Sequence, residues 1–339
     1  MTERPRVREE PEDFFVDELP LYTACGVGDH TYVHVEKRLR TTEEVARLLA
    51  RAAGARPRDV GYAGRKDRNA VTRQWFSVPG LDPRAACDLE LPGVRILGAD
   101  RHRNKLRTGH LRGNQFKLMV RGVSADRLER AEQAARELAA TGMPNRFGAQ
   151  RFGRDGNNAE LGSALLRGEE PPGVGDRRER RFLVSALQSA VFNEVLGART
   201  KPLDELEEGD VAMLHSSGGM FVVEDLARET ERAHRFQISP TGPMYGTRLM
   251  LAEGAMGERE ARVFERFGLP DPGELRTPRG LRLRGGRRPL RVPIGDLSLR
   301  TEGEGRLEIS VTLPPGSYAT VLLEELVGDF DEAGSAKVS

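Results

Sequence analysis

The sequence predicts an α+β protein in which one domain is inserted into another. Both ends of the chain mix helix and strand patterns, whereas the middle is rich in helix and loop patterns. The composition changes near Pro144, where Gly, Arg, Asn and Phe become frequent, and again near Pro293, after a run of Pro, Gly and Arg. Because the chain has 339 residues and one domain commonly has about 100–200, two domains are expected.

The first part of the chain alternates between strand and helix patterns. Residues 30–37 alternate as a strand does. Residues 41–44 have the spacing of a capping box, and the apolar residues that follow share one helical face up to Gly54. Further along, the patterns predict strands at 74–78 and 114–121 and a helix at 124–141.

Beyond Pro144 the patterns become less regular. Residues 144–156 are predicted to form a specialised loop, because Gly, Arg, Asn and Phe are dense there. A stretch rich in helix follows, and residues 268–293 resemble a linker. The remaining predicted elements are helices at 181–199 and 258–267, a strand at 306–313 and a short helix at 319–327.

The composition excludes several classes of protein. The net charge of +1 excludes a uniformly basic, histone-like chain, and 38% apolar residues argue against disorder over most of the length. No segment approaches the ~20 apolar residues that span a bilayer, and the N-terminus lacks the apolar core of a signal peptide. Cys25 and Cys87 are isolated, so neither a disulfide framework nor a Cys-rich zinc site is expected. We therefore expect a soluble, cytoplasmic protein that does not enter a membrane.

Basic residues cluster in two segments that contain no acid. Residues 101–121 hold seven Lys or Arg, and residues 276–291 hold seven Arg. Such sorting favours a positive surface for RNA or DNA, although a solvated, Arg-rich surface explains either segment alone equally well. Phe116 lies in the first segment, where a ring beside cations is typical of base stacking, but it also fits the apolar face of its strand.

Common motifs for nucleotide hydrolysis, acyl transfer and metal binding do not account for the chain. Residues 61–67 superficially resemble a phosphate loop, but Arg65 separates Gly64 from Lys66, and Asp67 replaces the required hydroxyl. The sequence has no Gly-x-Ser-x-Gly and no His-Glu-x-x-His. The cations beside Asp67 favour an ionised carboxylate, as a nucleophile requires, yet on spacing alone an aspartate in a turn is the better interpretation.

Six blocks of sequence, taken together, carry a family resemblance. They are AGRKDRNAVTRQW at 63–75, PEDF at 11–14, LRGNQF at 111–116, NRFGAQRFG at 145–153, SALQSAVFN at 185–193 and LPPGSYAT at 313–320. The block at 63–75 closely resembles the catalytic motif of the TruD family of tRNA pseudouridine synthases. Each block alone is a weak signal, but together they run in order across nearly the whole chain. The combination is specific.

The resemblance implies a fold and a division into domains. Members of the family have a pseudouridine synthase catalytic domain, mixed α/β around a largely antiparallel sheet, which an α/β insertion domain interrupts. In this sequence the catalytic domain is expected at residues 1–149 and 293–339 and the insertion at residues 150–292, with a soft rear boundary. The active site is expected in a basic cleft between the two domains.

The resemblance also implies roles for individual residues. Asp67 matches the catalytic aspartate of the family. The residues that match those lining or stacking in the uridine pocket are Phe14, Asn114, Phe116 and Tyr318. Tyr318 stands where the family usually has Phe, so the ring is kept and a hydroxyl is added. Lys66 is a supporting candidate, and so is Arg8, at a position where members can carry a Lys.

The implied reaction converts uridine 13 of tRNA into pseudouridine. An enzyme that acts on a base in folded RNA must extrude it into its pocket. Asp67 would open the rearrangement by attack on the sugar, attack on the ring or proton abstraction, and the sequence does not separate these pathways. No metal, organic cofactor or protein partner is expected, and the chain is expected to be monomeric.

Two other classes of protein remain as alternatives. A non-catalytic RNA-binding protein would use the same basic segments and aromatics, but the intact Lys66-Asp67 motif argues against it. A metal-dependent nuclease needs several carboxylates, whereas the candidate segments offer only Asp67.

Overall fold

The computed structural model describes residues 4–278 and 280–332. By its internal contacts the chain forms two compact units. Of the described residues, unit 1 comprises 4–136, 294–319 and 323–332, and unit 2 comprises 137–278, 280–293 and 320–322. Unit 1 is therefore assembled from distant parts of the chain.

The main architectural feature of unit 1 is a ten-stranded sheet with the central order β14-β15-β7-β2-β5-β3-β6. Its strands are β1 (Arg6–Val7), β2 (Phe14–Pro20), β3 (His30–Arg38), β4 (Gly61–Tyr62), β5 (Val71–Pro79), β6 (Val94–His102), β7 (Leu111–Arg121), β14 (Gly295–Thr301), β15 (Arg306–Leu313) and β16 (Asp331–Glu332). Neighbouring strands are antiparallel except for two parallel pairs, β2 with β5 and β1 with β16. The predicted α+β class with a largely antiparallel sheet is confirmed.

The helices of the described chain follow local sequence signals. They are α1 (Thr42–Ala52), α2 (Pro83–Cys87), α3 (Ala125–Thr141), α4 (Asn158–Leu166), α5 (Arg177–Gly197), α6 (Leu226–His234), α7 (Gly254–Arg266) and α8 (Ala319–Val327). The predicted capping box of α1 is present, with reciprocal bonds between Thr41 and Glu44. α5 begins earlier than the predicted residue 181, because the Asp176 carboxylate accepts hydrogen bonds from the first backbone N–H groups of the helix.

One side of the sheet in unit 1 packs on α1. Val33 and Val35 of β3 and Phe76 of β5 meet Val45 and Leu49 of the helix, and all five side chains are fully buried. Burying Val, Leu and Phe stabilises a fold by roughly 1.5–3 kcal/mol per side chain. This packing fixes the position of α1 relative to the end of β3 from which the chain enters the helix.

Unit 2 contains a four-stranded sheet of order β10-β9-β11-β12 and a two-stranded pair. Its strands are β8 (Met143–Pro144), β9 (Val211–Leu214), β10 (Met220–Val222), β11 (Ile238–Met244), β12 (Gly286–Pro289) and β13 (Arg291–Val292). Helices α4, α5 and α7 bury an apolar cluster that includes Leu165, Leu187 and Phe264. The sequence patterns had indicated helices here but had not located this sheet.

The linker predicted at 268–293 is wrong. Four leucines of this segment, Leu269, Leu275, Leu281 and Leu283, are buried in the main apolar cluster of unit 2. Strands β12 and β13 also lie within this segment. The leucines are not spaced with the period of a helix or a strand before β12. The pattern of apolar residues therefore did not indicate a buried segment among the Pro, Gly and Arg residues.

No helix in the described ranges is both long and apolar enough to cross a membrane.

Candidate functional site

Asp67 lies on a loop of unit 1 that joins β4 to β5, which we call the Asp67 loop (residues 63–70). The loop enters β5 at Val71, whose cross-strand partners are Phe15 on β2 and Arg38 on β3. The Asp67 side chain retains 51% of its exposure. A carboxylate with this exposure is accessible to a macromolecular substrate.

Arg8 is the cation that contacts the carboxylate. Its guanidinium donates from Nη2 to Oδ2 of Asp67 at 2.9 Å, and its carbon Cζ lies 3.9 Å from the centre of the Phe14 ring. Arg8 has a φ of +60°, in the left-handed region that non-glycine residues rarely adopt. Such backbone strain, of order 1–3 kcal/mol, is found where a side chain must be aimed at a function.

The basic neighbours of Asp67 in sequence point elsewhere. Lys66 is buried and donates from Nζ to Oε2 of Glu18 at 2.5 Å, and Arg65 pairs with Glu43 at 2.6 Å. The expectation that Asp67 is surrounded by its neighbours in sequence is therefore corrected for Lys66 and Arg65. The ion pair with the Asp67 carboxylate comes from Arg8, 59 residues away along the chain.

Strand register gathers polar side chains on one buried face of the sheet. Glu18 of β2 stands opposite Asn114 of β7, and Gln74 of β5 stands opposite Val35 of β3, two residues before Lys37. Glu18, Gln74 and Lys37 are almost completely buried. A buried polar group must be hydrogen-bonded to be tolerated, so the partners of these side chains reveal what they hold.

Thr42, Gln74 and Lys37, which are all buried, hold the backbone of the Asp67 loop. Thr42 Oγ1 accepts from the Lys66 N–H at 2.9 Å and donates to Gln74 Oε1 at 2.9 Å. Gln74 Nε2 donates to the Gly64 carbonyl at 3.3 Å. Lys37 Nζ donates to the Asp67 carbonyl at 2.7 Å. The loop is thus fixed at several backbone positions from below.

The two predicted pocket phenylalanines pack on each other. Phe14 and Phe116 meet edge to face with ring centres 6.1 Å apart, and they are 4% and 7% exposed. Arg8 covers one face of Phe14. In this arrangement Phe116 offers only a small part of its ring to a ligand.

Asn114 carries an unsatisfied acceptor. Its Oδ1 is buried and has no hydrogen-bond partner within the part of the chain that the structure describes. Its backbone lies between Glu18 of β2 and Leu313 of β15. At Gly113 the backbones come so close that a Cβ would lie 2.6 Å from the Leu313 oxygen, which explains the glycine beside Asn114.

Tyr318 belongs to unit 1 and lies near Asn114 only through its position in the chain. It is half-buried at the start of α8, after the turn that follows Leu313, the residue paired with Asn114. The ion pair of Asp67, the two phenylalanines and the Lys66–Glu18 pair lie around β2. Strand register places Asn114 opposite Glu18 and Leu313, and Tyr318 follows Leu313 in the chain.

The first basic segment is partly engaged in ion pairs. Arg121 pairs with Asp13 at 2.7 Å and Lys117 with Glu308 at 2.9 Å. The segment also contains exposed arginines for which we find no carboxylate partner among the described residues, namely Arg103, Arg107 and Arg112. These are the cations of the segment that remain available to an anion.

The second basic segment is partly structural. Arg287 is buried and makes two bonds to Glu260, at 2.7 and 2.9 Å, and the fully buried Arg291 donates to the Thr141 carbonyl at 2.7 Å. The expectation of an RNA-facing segment is wrong for these two residues, because the guanidinium group of each is buried and hydrogen-bonded to acceptors inside the protein. Arg276, Arg282 and Arg284 are exposed, and Arg279 lies outside the described residues.

Sequence reasoning missed four residues that shape the site: Glu18, Lys37, Thr42 and Gln74. The available signal was alternation, since Lys37 shares its strand face with Val33 and Val35, and Glu18 shares its face with Phe14 and Val16. A charged residue at a core position of a strand is an exception that marks a function. No group of three or more metal-ligating side chains occurs within 4–278 and 280–332.

Comparisons with known proteins extend over nearly the whole chain. The family model of tRNA pseudouridine synthase D (TruD) matches residues 4–172 and 176–326. A tRNA pseudouridine synthase D of Anaeromyxobacter dehalogenans is 46% identical over 327 residues, which cover 94% of this chain and 92% of that relative. One of Thermus thermophilus is 44% identical over 324 residues, covering 95% and 88%. A solved structure from Methanosarcina mazei, assigned to the same family, has a TM-score of 0.78 at 22% identity and covers 97% of this chain and 95% of that one, which supports the fold.

Proposed function

The chain belongs to the TruD family of tRNA pseudouridine synthases, and from this premise we propose that it isomerises uridine 13 of tRNA with Asp67 as the reacting carboxylate. The observation that carries the proposal is the way Asp67 is held. Its carboxylate is half exposed and bonded to Arg8, while its own carbonyl is bonded to the buried Lys37. A reacting group held from both sides is oriented before the substrate arrives.

The chemistry breaks the bond between N1 of uracil and C1′ of the ribose and forms a bond between C5 and C1′. The hydrogen on C5 is lost as a proton, and N1 gains one, so no oxidant or cofactor is consumed. Asp67 would act by attack on the sugar, by attack on the ring or by proton abstraction. Each pathway needs the carboxylate to point at the substrate, and the 2.9 Å ion pair with Arg8 constrains its direction.

We assign recognition of the extruded uracil to Asn114 together with the rings of Phe14, Phe116 and Tyr318. The unsatisfied Oδ1 of Asn114 needs a donor, and uracil offers one at N3, whereas cytosine has an acceptor there. Because Phe116 is 7% exposed, it is suited to contact the edge of a base, and the half-buried Tyr318 is better suited to stack on its face.

The remaining expectations stand as parts of the same proposal. The enzyme would act as a cytoplasmic monomer without a protein partner, with residues 150–292 as the insertion domain and residues 1–149 and 293–339 as the catalytic domain. Light scattering of the purified protein, alone and with tRNA, tests the monomer. A dimer that persists on dilution would contradict it.

The decisive experiment measures tritium release from tRNA labelled at C5 of uridine, together with tRNA affinity. Asp67→Asn keeps the size of the side chain but removes its charge and its nucleophilic oxygen, so release should stop while binding persists. Asp59→Asn, which breaks another Arg–Asp ion pair of 2.8 Å between partly exposed side chains, is the matched control. Substantial turnover by Asp67→Asn would remove Asp67 from the mechanism.

Two further outcomes separate the alternatives. Wild-type protein that binds tRNA but releases no tritium would favour a non-catalytic RNA-binding protein. A tRNA with cytidine at position 13 should abolish release, and unchanged release would place the modified uridine elsewhere.

A further inference from the structure

Beneath the Asp67 loop lies a lysine that the proposed reaction does not use. Lys37 is 0% exposed, and its Nζ donates to the carbonyl oxygens of Arg40 at 2.7 Å, Asp67 at 2.7 Å and Lys66 at 3.5 Å. We find no carboxylate in ion-pair contact with it in the described ranges of the chain. All three ammonium hydrogens therefore face backbone carbonyls, two of which belong to the loop.

This arrangement is costly for the fold. Burying a charge without a countercharge opposes folding strongly, and an apolar side chain of the same length would avoid that cost. Lys37 also occupies the strand face of Val33 and Val35, where an apolar residue would extend the core. The energetic cost of the cation has to be offset by what its three bonds achieve.

We propose that Lys37 is a positioning residue for the isomerisation, whose ammonium group fixes the backbone at Asp67 and so sets the direction in which the carboxylate leaves the loop. This inference rests on the proposed function. The bonds of Thr42 to Lys66 and of Gln74 to Gly64 define the loop up to the residue before Asp67. Lys37 is the side chain that holds Asp67 itself from beneath.

The protonation state of Lys37 links this contact to pH. Burial lowers the pKa of Lys37 to about 8. The other charges that act on it are Asp67 and Lys66 in the loop and Glu43 and Glu44 on α1. Its cross-strand partners on β5 and β6, Thr72 and Val94, do not titrate in this range.

Deprotonation changes the contact in a definite way. A neutral amine has two hydrogens and a lone pair, so one of the three carbonyls loses its donor and faces a lone pair instead. The turnover rate should therefore fall as pH rises through about 8. Stability should move in the opposite direction, because the pKa in the folded state lies below its usual value of 10.5, and the folded protein then binds fewer protons than the unfolded chain.

The opposite signs distinguish positioning from simple stabilisation. If Lys37 only stabilised the fold, the rate would follow the folded fraction and would not decline while stability rises. Rate and stability are therefore measured together from pH 6.5 to 9, the rate by tritium release in single turnover.

The first experiment uses Lys37→Met, which keeps the length of the side chain and removes its donors. We expect kcat to fall about 100-fold, with KM for tRNA within about twofold of the wild type, and we expect the alkaline decline to disappear. The control is Thr31→Val, which removes another buried side-chain bond to a backbone carbonyl from the same strand, far from the loop. It should lower stability and leave kcat unchanged. A wild-type kcat in Lys37→Met, or a persistent alkaline decline, would overturn the proposal.

A second measurement needs no variant and decides the matter if Lys37→Met does not fold. The chain contains six lysines, so carbon-13 labelling at lysine Cε gives few resonances to follow by NMR. The resonance of Lys37 should titrate with the same midpoint as the loss of turnover. A rate that stays constant through that titration would overturn the positioning role. Wild-type protein without any tritium release would instead defeat the proposed function, and this inference with it.

Discussion

Arg8 provides a quantitative test of how the Asp67 carboxylate is held. Arg8→Ala removes the 2.9 Å ion pair with Asp67 and the contact over the buried ring of Phe14. The cation–π contact is worth about 1 kcal/mol where the cation is largely desolvated, and Arg8 is 14% exposed. The ion pair is worth about 0–1 kcal/mol, because half of the Asp67 side chain is solvated. The free energy of unfolding should therefore fall by about 1–2 kcal/mol.

The backbone of Arg8 adds a second, independent expectation. Alanine at a φ of +60° keeps the left-handed strain, whereas glycine relieves it. Arg8→Gly loses the same side-chain contacts as Arg8→Ala but should be more stable than it by about 1 kcal/mol. Urea unfolding measures both variants, and Arg56→Ala, which breaks an exposed ion pair, should change stability by less than about 0.5 kcal/mol.

The expected loss of turnover in Arg8→Ala follows from the rotational freedom that the Asp67 side chain gains. Without Arg8 the Asp67 side chain can occupy about three staggered rotamers, and misplacement of a reacting group costs up to about 100-fold, so we expect a loss between about threefold and 100-fold. Arg8→Lys retains a cation and should lose less. Wild-type turnover in Arg8→Ala would refute the conclusion that Arg8 orients Asp67, and equal stability of the glycine and alanine variants would refute the assignment of strain.

Three further predictions concern the RNA surface, the pocket and the core of unit 2. Replacing the exposed arginines 103, 107 and 112 by alanine should weaken tRNA binding and reduce the log–log salt slope by about 0.7–0.9 for each lost phosphate contact, whereas an unchanged slope would make them plain surface. Tyr318→Phe should turn over like the wild type and Tyr318→Ala should lose roughly 1–3 kcal/mol of stacking, so a large loss in the phenylalanine variant would show that the hydroxyl acts. Arg287→Met leaves the buried Glu260 unpaired and should cost about 3–5 kcal/mol. Because burial already raises the pKa of Glu260, that variant should regain stability as pH falls, and an unfolding free energy that does not change with pH would contradict this assignment.

Patterns among residues close in sequence were sufficient to predict many of the strands and helices of unit 1. Alternation located β3, β7 and β15, and the spacing of Thr41 and Glu44 located the start of α1, because these features depend on residues within one or two turns or along a single strand. The resemblance to the TruD family was also carried by the sequence alone, and it is confirmed across the chain. The sequence indicated Asp67 as the catalytic candidate and Arg8 as a supporting one, but it did not show that Arg8, and not Arg65 or Lys66, contacts the carboxylate.

Tertiary structure decided which charges meet. Lys66 stands next to Asp67 but pairs with Glu18, while Arg8 crosses 59 residues of sequence to reach the carboxylate. The buried arginines 287 and 291 look in sequence like the exposed Arg284. A charged side chain pairs with whichever partner the strand register and the packing of the core bring within reach. That partner is set by long-range pairing, so local sequence indicates many of the elements and the candidate residue, and only the folded chain determines what holds that residue in place.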